Sequence, residues 1–362
     1  MRLEEVLRTP YQPLADSPST RYYTDWRAFN SYFEKPSPPL GLSWDEDLLA
    51  TLGLKPTVIL KPTEVAEKPL LDRAGLMRVL GFHVYNLNSL EKILVTDTRV
   101  NVLVPKPSEG TLSAHLSIRA RGAPEINVLL LSPETAGGLT TLTIDLQVEP
   151  GSSTRLNYII FDSMESPTAV FQEATLADGA ELETIIAIGR SKTLHLETRS
   201  MLTGSKSKSY TRALLAANRG SKITLVTDAV AQAPGTELEI QAVGFARNGY
   251  IAHKGYARSR RGARGSKLRV ASRLVPLSSQ AKVYASPVLE IESDEPSEAG
   301  HSVAQSPLDP DQAFYLQARG FRPEEAEELL VRGAYNSLVN FKPGRAEFKS
   351  VIDLLMRELN RV

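Results

Sequence analysis

Five glycine turns recur through the middle of this chain at close to multiples of one interval. They are Pro150-Gly151-Ser152, Asp178-Gly179-Ala180, Arg219-Gly220-Ser221, Pro234-Gly235-Thr236 and Arg264-Gly265-Ser266. The glycines lie 28, 41, 15 and 30 residues apart, near multiples of 14 to 15. Each is followed by a small residue and then by a strand. A glycine in that place points to a left-handed turn that a Cβ would oppose. A constant quantum of strand plus turn is the mark of a solenoid, in which each rung buries its apolar face on its neighbours. An ordinary sandwich also carries frequent turns, but the recurring interval favours the solenoid.

The strands themselves are short and β-branched or alternating. They are expected at 99–104, 125–131, 140–148, 156–161, 182–188, 223–227 and 238–243. No ten-residue helical pattern separates them, so the sheet is not an alternating β/α one. Around this core three units are expected. Residues 1–91 form a mostly helical N-terminal domain, 92–305 a parallel β-helix, and 306–362 a C-terminal helical domain. In the first unit Ser43 reads as the N-cap of a helix that begins with acids, and 67–80 as a second helix burying Leu70, Leu71, Ala74 and Leu80. In the last, Asp309-Pro310-Asp311 opens a helix that Arg319-Gly320 closes, and Pro323-Glu324-Glu325 opens another. Phe348, Val351, Ile352, Leu355 and Leu359 stripe a final helix over 345–359, to cover the solenoid end or meet a partner.

Composition removes several function classes. The chain has no cysteine, which excludes disulfides, thiolate ligands and thiol chemistry of its own. Its 42 basic and 42 acidic side chains balance, unlike a nucleic-acid protein. No apolar run is long enough to span a membrane and the first residues carry acids, so a cytoplasmic protein with no membrane or nucleic-acid partner is expected. No phosphate-binding loop of the G-x-x-x-x-G-K-[ST] type occurs.

The C-terminal third carries a more specific pattern. Ser286-Pro287-Val288-Leu289-Glu290-Ile291 leads to an acidic turn, to His301, and to Phe314-Tyr315-Leu316-Gln317-Ala318-Arg319-Gly320-Phe321. Glu325, Ala326, Leu329, Leu330 and Gly333 follow in register. Over about 273–335 this resembles the signature of the SufB/SufD family, and the chain is similar to a SufD-like member. The resemblance implies a right-handed parallel β-helix flanked by helical domains. It also implies a non-catalytic scaffold subunit of a SufBCD-type iron–sulfur cluster assembly complex. Such a subunit pairs with a SufB-like subunit, or with itself, and binds a SufC-type ABC ATPase. The docking residues implied are Phe314, Tyr315, Arg319, Gly320, Phe321, Glu325, Ala326, Leu329 and Leu330. His301 is implied as a ligand for iron or a nascent iron–sulfur cluster at the interface with a SufB-like partner, a structural histidine being the alternative. No cofactor held stably by the chain alone is expected.

The chain departs from the family in places. SufB-type members carry a β-helix cysteine that this chain lacks, and Ala299 stands where many SufD proteins have cysteine. His301-Ser302-Val303-Ala304 replaces the usual H-G-A-T, and the stretch around 254–272 is shorter by about one rung. Beside the scaffold reading stand two others, a β-helix carbohydrate-active enzyme or polysaccharide-binding protein, and a nucleic-acid-binding solenoid. The third would use Arg258, Arg260, Arg261, Arg264, Lys267, Arg269 and Arg273, which otherwise read as a solvated loop or a salt-bridging face. The acids Glu290, Glu292, Asp294, Glu295 and Glu298 read as a charged surface turn. His83, His115, His195 and His253 show no metal-site spacing and read as structural or solvated. In Leu194-His195-Leu196-Glu197 the leucines face the core and His195 faces outward.

Overall fold

The structure is a computed structural model, and it describes residues 2–12, 23–65, 75–293, 295–339 and 346–361. Seventeen strands coil into a parallel β-solenoid. They are β1 (Val58–Ile59), β2 (Ser89–Thr96), β3 (Arg99–Leu103), β4 (Thr111–Arg121), β5 (Glu125–Leu131), β6 (Leu139–Val148), β7 (Ser153–Phe161), β8 (Pro167–Leu176) and β9 (Glu181–Arg190). The series continues through β10 (Thr193–Leu202), β11 (Lys208–Ala217), β12 (Lys222–Ala231), β13 (Glu237–Ala246), β14 (Tyr250–Ser259), β15 (Lys267–Pro276), β16 (Lys282–Ile291) and β17 (Glu298–Ala304). Odd strands stack into a nine-stranded sheet and even strands into an eight-stranded one, all in parallel register. The sheets already begin with β1 and the start of β2, within residues 1–91.

The interval read from the glycines is a half-coil. Gly151, Gly179, Gly235 and Gly265 all occupy the turn from an even strand to the next odd one, while Gly220 lies at the opposite turn. All five have positive φ, from 63° to 81°. A Cβ at Gly151, Gly179, Gly220 or Gly265 would meet nothing within 4 Å, so the backbone conformation, not crowding, selects glycine there. The gap between Gly179 and Gly235 spans two coils because Lys206, with φ 57°, fills the intervening slot. These turns also bond from coil to coil: Gly151 N–H donates to Asp178, Gly179 to Ser205, Lys206 to Pro234 and Gly235 to Arg264.

Three apolar clusters hold the fold. The lumen is packed with inward residues of both sheets, among them Leu116, Val128, Tyr158, Ile186, Leu196, Leu225 and Ile240. The outer face of the odd sheet is covered by helices α3 (Glu46–Leu52), α6 (Pro323–Val339) and α7 (Ala346–Asn360). The outer face of the even sheet is covered by α1 (Leu3–Arg8), the 3-10 turn Trp26–Phe29 with the residues after it, and α4 (Arg78–Asn86), whose Val6, Phe29, Phe33 and Phe82 cluster with Phe171 of β8. A short α2 (Asn30–Glu34) and α5 (Pro310–Ala318) complete the helices. Burial on both faces explains why β5 and β9 read as near-continuous apolar runs.

Four local expectations change. The cap of α3 is Asp45, whose carboxylate accepts from Leu48 N at 2.9 Å, while Ser43 bridges to Lys106. The helix expected at 67–80 is described only from Arg78, and Leu70, Leu71 and Ala74 lie outside the described residues. The stripe of α7 covers the flank of the solenoid, not its end. His195 does point away from the lumen, yet it is buried: Thr24 Oγ1 lies 2.8 Å from Nδ1, and Trp26 and Phe171 pack on the ring.

Candidate functional site at the C-terminal end

Two features at the C-terminal end stand apart from the packed body. The first is the open end of the solenoid. β16 and β17 are the last strands of their sheets, so each leaves one edge of backbone groups with no strand beside it among the described residues. Every residue of β17 is exposed, and Ile291 and Val303 present apolar surface there. A bare, parallel, partly apolar edge is a template for another chain unless it is blunted.

His301 lies on this edge. It is in register with Val270, and Val303 with Ser272, so His301 belongs to the lumen-facing row at the mouth of the solenoid. Its side chain is exposed. Among the described residues no group of three His, Cys, Asp or Glu side chains comes close enough to hold a metal ion. His301 therefore stands as a lone imidazole at the mouth of the lumen among the described residues. One coil deeper, His253 faces the lumen with Thr227 Oγ1 3.0 Å from Nε2 and Ser272 Oγ 2.8 Å from Nδ1. Burial holds its pKa down to about 3, so it stays neutral. His115, next to Thr143, is held down to about 4 by burial and by Lys92. His83 sits between Thr141 and Thr143.

Three ion pairs join the arginine-rich segment to the acidic turn. Arg258 lies 3.4 Å from Asp228 and 3.3 Å from Glu290, Arg260 pairs with Glu292, and Arg269 pairs with Glu298. The two charge runs are adjacent coils stacked in register.

The second feature is the α5–α6 hairpin. Asp309 caps α5, Gly320 with φ 97° turns the chain, and Arg322 bonds Glu325 through both its backbone N–H and its guanidinium. No residue of α5 is buried. Phe314 is 72% exposed, Tyr315 57%, Phe321 41% and Leu329 43%. Arg319 stacks on Tyr315 at 4.9 Å and donates to its hydroxyl at 2.6 Å. Of the residues singled out in the sequence, Phe314, Tyr315, Arg319, Gly320, Phe321 and Leu329 share this exposed hairpin. Ala326 is buried, and Glu325 and Leu330 are half-buried.

Behind the hairpin, α7 is tied to the solenoid by polar groups that sequence reading missed. Asn218 Nδ2 donates to the carbonyls of Glu358, Leu359 and Arg361, and Arg247 Nε to Leu359, satisfying the helix C-terminus. Arg190 lies 3.3 Å from Glu358 and donates to the carbonyls of Asp162 and Ser132. Asp162 in turn meets Lys106 in a fully buried ion pair. These partners are far apart in sequence, and only the coil register brings them together.

A sequence model described as "SUF system FeS cluster assembly, SufBD core domain" matches residues 104–334. The chain belongs to the SufBD family. This SufBD-family chain is 32% identical over 105 residues to the iron–sulfur cluster assembly protein SufD of Bacillus subtilis, covering 29% of this chain and 24% of that protein. Two SufBD-family assembly proteins of Mycobacterium leprae are also similar. One is 23% identical over 318 residues, 81% of this chain and 35% of the relative; the other is 46% identical over 54 residues, 15% and 14%. The matches thus span about a third or less of the relatives' own lengths. The SufBD core match takes in the solenoid from its fourth strand, the open end, and the α5–α6 hairpin as far as residue 334. No helix among the described residues is long and apolar enough to cross a membrane.

Proposed function

We propose that this chain is a non-catalytic, SufD-like scaffold subunit of a cytoplasmic iron–sulfur cluster assembly complex. The observation that carries the reading is a pair of exposed features near the C-terminus, the α5–α6 hairpin and the open edge at β16 and β17. The α5–α6 hairpin offers four large apolar side chains to solvent, which suits a partner protein more than a monomer surface. That partner is a SufC-type ABC ATPase. The open strand edge suits a SufB-like subunit, adding strands to the sheets.

The iron–sulfur cluster is cargo in this scheme. His301 supplies one imidazole at the mouth of the lumen, and the SufB-like subunit supplies sulfur ligands that this cysteine-free chain lacks. The solenoid holds His301 in place through the β15–β17 register, while the ATPase acts through the hairpin, which the α7 ties fix to the rod. The carbohydrate-enzyme reading is less supported, because helices lie over both outer faces along which a saccharide groove would run.

Co-expression with a SufC-type ATPase and a SufB-like subunit tests this. A stable three-component complex is expected on size exclusion, with Phe321→Asp removing the ATPase alone. Failure of the intact chain to retain either protein would end the reading.

A further inference from the structure

The turn from β13 to β14 carries the only Asn-Gly pair in the sequence, Asn248-Gly249. Such a pair cyclises on itself more readily than asparagine before a larger residue. Glycine presents its backbone nitrogen to the asparagine side chain with no Cβ in the way. In a folded protein the reaction also needs a carboxamide and a backbone N–H that nothing holds. This turn offers both. Asn248 is exposed, and among the described residues no group bonds its carboxamide or the Gly249 N–H. Two comparable pairs are held. Asn88, before Ser89, donates from Nδ2 to the Thr111 carbonyl at 2.8 Å and accepts from the Ser113 N–H at 3.0 Å. Asp178, before Gly179, accepts from the Ser205 N–H at 2.6 Å, and the Gly179 N–H donates to the Ser205 carbonyl.

Packing fixes glycine at position 249. A Cβ there would stand 2.8 Å from the Ala217 Cβ and 3.0 Å from the Ala217 carbonyl oxygen. The close stacking of the coils thus requires the residue that makes the pair reactive. The same turn is where α7 is fastened. Asn248 N–H donates to Asn218 Oδ1 at 3.2 Å, and its carbonyl accepts from the Gly220 N–H at 2.6 Å. Asn218 caps the last carbonyls of α7 through Nδ2. The neighbouring Arg247 donates to the Leu359 carbonyl and pairs with Glu327 of α6.

We propose that Asn248-Gly249 is a site of self-modification that unfastens α7. The Gly249 nitrogen, losing its proton to solvent hydroxide, attacks Asn248 Cγ. The bond from Cγ to Nδ2 breaks, and that nitrogen takes up a proton and leaves as ammonia, closing a succinimide ring. Water then opens the ring. Attack at Cγ gives aspartate, and attack at the main-chain carbonyl gives isoaspartate. Water is the co-reactant, and nothing is oxidised or reduced. Either product adds a negative charge to the turn that holds Asn218, at the negative end of α7, where it is opposed. Isoaspartate also routes the main chain through Cβ, lengthening it against the tight contact of Gly249 with Ala217. Asn218 then gives up its hold on α7, and α6, which shares the same apolar cluster, loosens with it.

The test incubates the full chain at mildly alkaline pH in water labelled with heavy oxygen, then digests it in ordinary water. Label is expected in the tryptic peptide 248–254, most of it as isoaspartate. The peptides holding Asn88-Ser89 and Asp178-Gly179 should stay unlabelled. So should position 248 in Asn248→Gln, whose longer side chain cyclises far more slowly. Amide exchange over the last turn of α7 should run about 10-fold faster in the reacted chain than in the fresh chain or the variant, the size of losing a hydrogen-bonded tie. Label that appears only in the urea-unfolded chain would overturn the site, since the fold would then protect the pair. Reaction at 248 with α7 exchange unchanged would overturn the unfastening. Loosening of α7 in Asn248→Gln before any reaction would overturn it too, by showing that fit at 248 governs α7 and the reaction does not.

Discussion

Replacing Lys106 by methionine should cost this protein about 3–5 kcal/mol, although Lys106 lies in a loop and touches no proposed partner surface. The Lys106 ammonium is fully buried. It donates to Asp162 Oδ2 at 3.1 Å, to the Pro167 carbonyl at 2.9 Å and to Thr168 Oγ1. Methionine fills the same channel but leaves the Asp162 carboxylate charged and buried. Ser132 Oγ, at 2.6 Å, and the Thr168 hydroxyl still donate to it, so the lower part of that range is expected. The double variant Lys106→Met/Asp162→Leu removes both charges and should recover most of the loss. The pH dependence follows from the same pair. Burial alone would raise the Asp162 pKa, but Lys106 and the hydroxyl donors hold it below the usual carboxylate range. Without Lys106, burial wins and the folded pKa rises. The intact protein keeps this stability above the unfolded carboxylate pKa, whereas the variant regains stability as pH falls and Asp162 protonates. The deficit should shrink between pH 7 and about 4. Urea unfolding of the three proteins at both pH values measures it. A single-variant deficit under ~1 kcal/mol, or one that does not change with pH, would refute the reasoning.

Three further outcomes follow from other parts of the molecule. Phe314→Ala should leave the unfolding midpoint unchanged, since Phe314 is 72% exposed, yet weaken ATPase capture by about 30-fold or more if the ring is buried on docking; calorimetric titration against the SufC-type ATPase reads it. Gly179→Ala, at φ 63°, should destabilise by ~1–2 kcal/mol with no clash to relieve, and Gly179→Asn by less, as urea midpoints would show. His253, held neutral down to about pH 3, makes the folded state bind fewer protons than the unfolded chain below pH 6.5, so stability falls as pH falls. At pH 5 this amounts to roughly 2 kcal/mol. His253→Asn should therefore show a smaller drop between pH 7 and 5 than the intact protein, and an equal drop would count against the assignment.

The solenoid was legible in the sequence because its turns need a backbone conformation that glycine adopts freely. Positions 151, 179, 220, 235 and 265 all proved left-handed. Lys206 hid the coil between Gly179 and Gly235, because a residue with a Cβ occupies the slot where the pattern expects glycine. Periodicity also placed the leucines of Leu194-His195-Leu196-Glu197 in the lumen correctly. It could not tell that the outer face bearing His195 lies beneath Trp26, since that contact joins segments about 170 residues apart. In one dimension the arginine-rich run read as a solvated loop or a salt-bridging face and the acidic run as a charged surface turn, with nothing to join the two. Register stacks one on the other, and Arg258, Arg260 and Arg269 find Glu290, Glu292 and Glu298. The α5–α6 hairpin was readable from its caps and glycine, but its exposure was not, because exposure depends on what α6 and α7 leave uncovered.

Amide hydrogen exchange on the chain, free and mixed with a SufC-type ATPase, tests the central claim most directly. New protection is expected in α5 and the first turns of α6, from Pro310 to about Leu330, with the coils between β4 and β13 unchanged. Protection that spread along the solenoid flank and spared the hairpin, or no change anywhere at saturating ATPase, would contradict it.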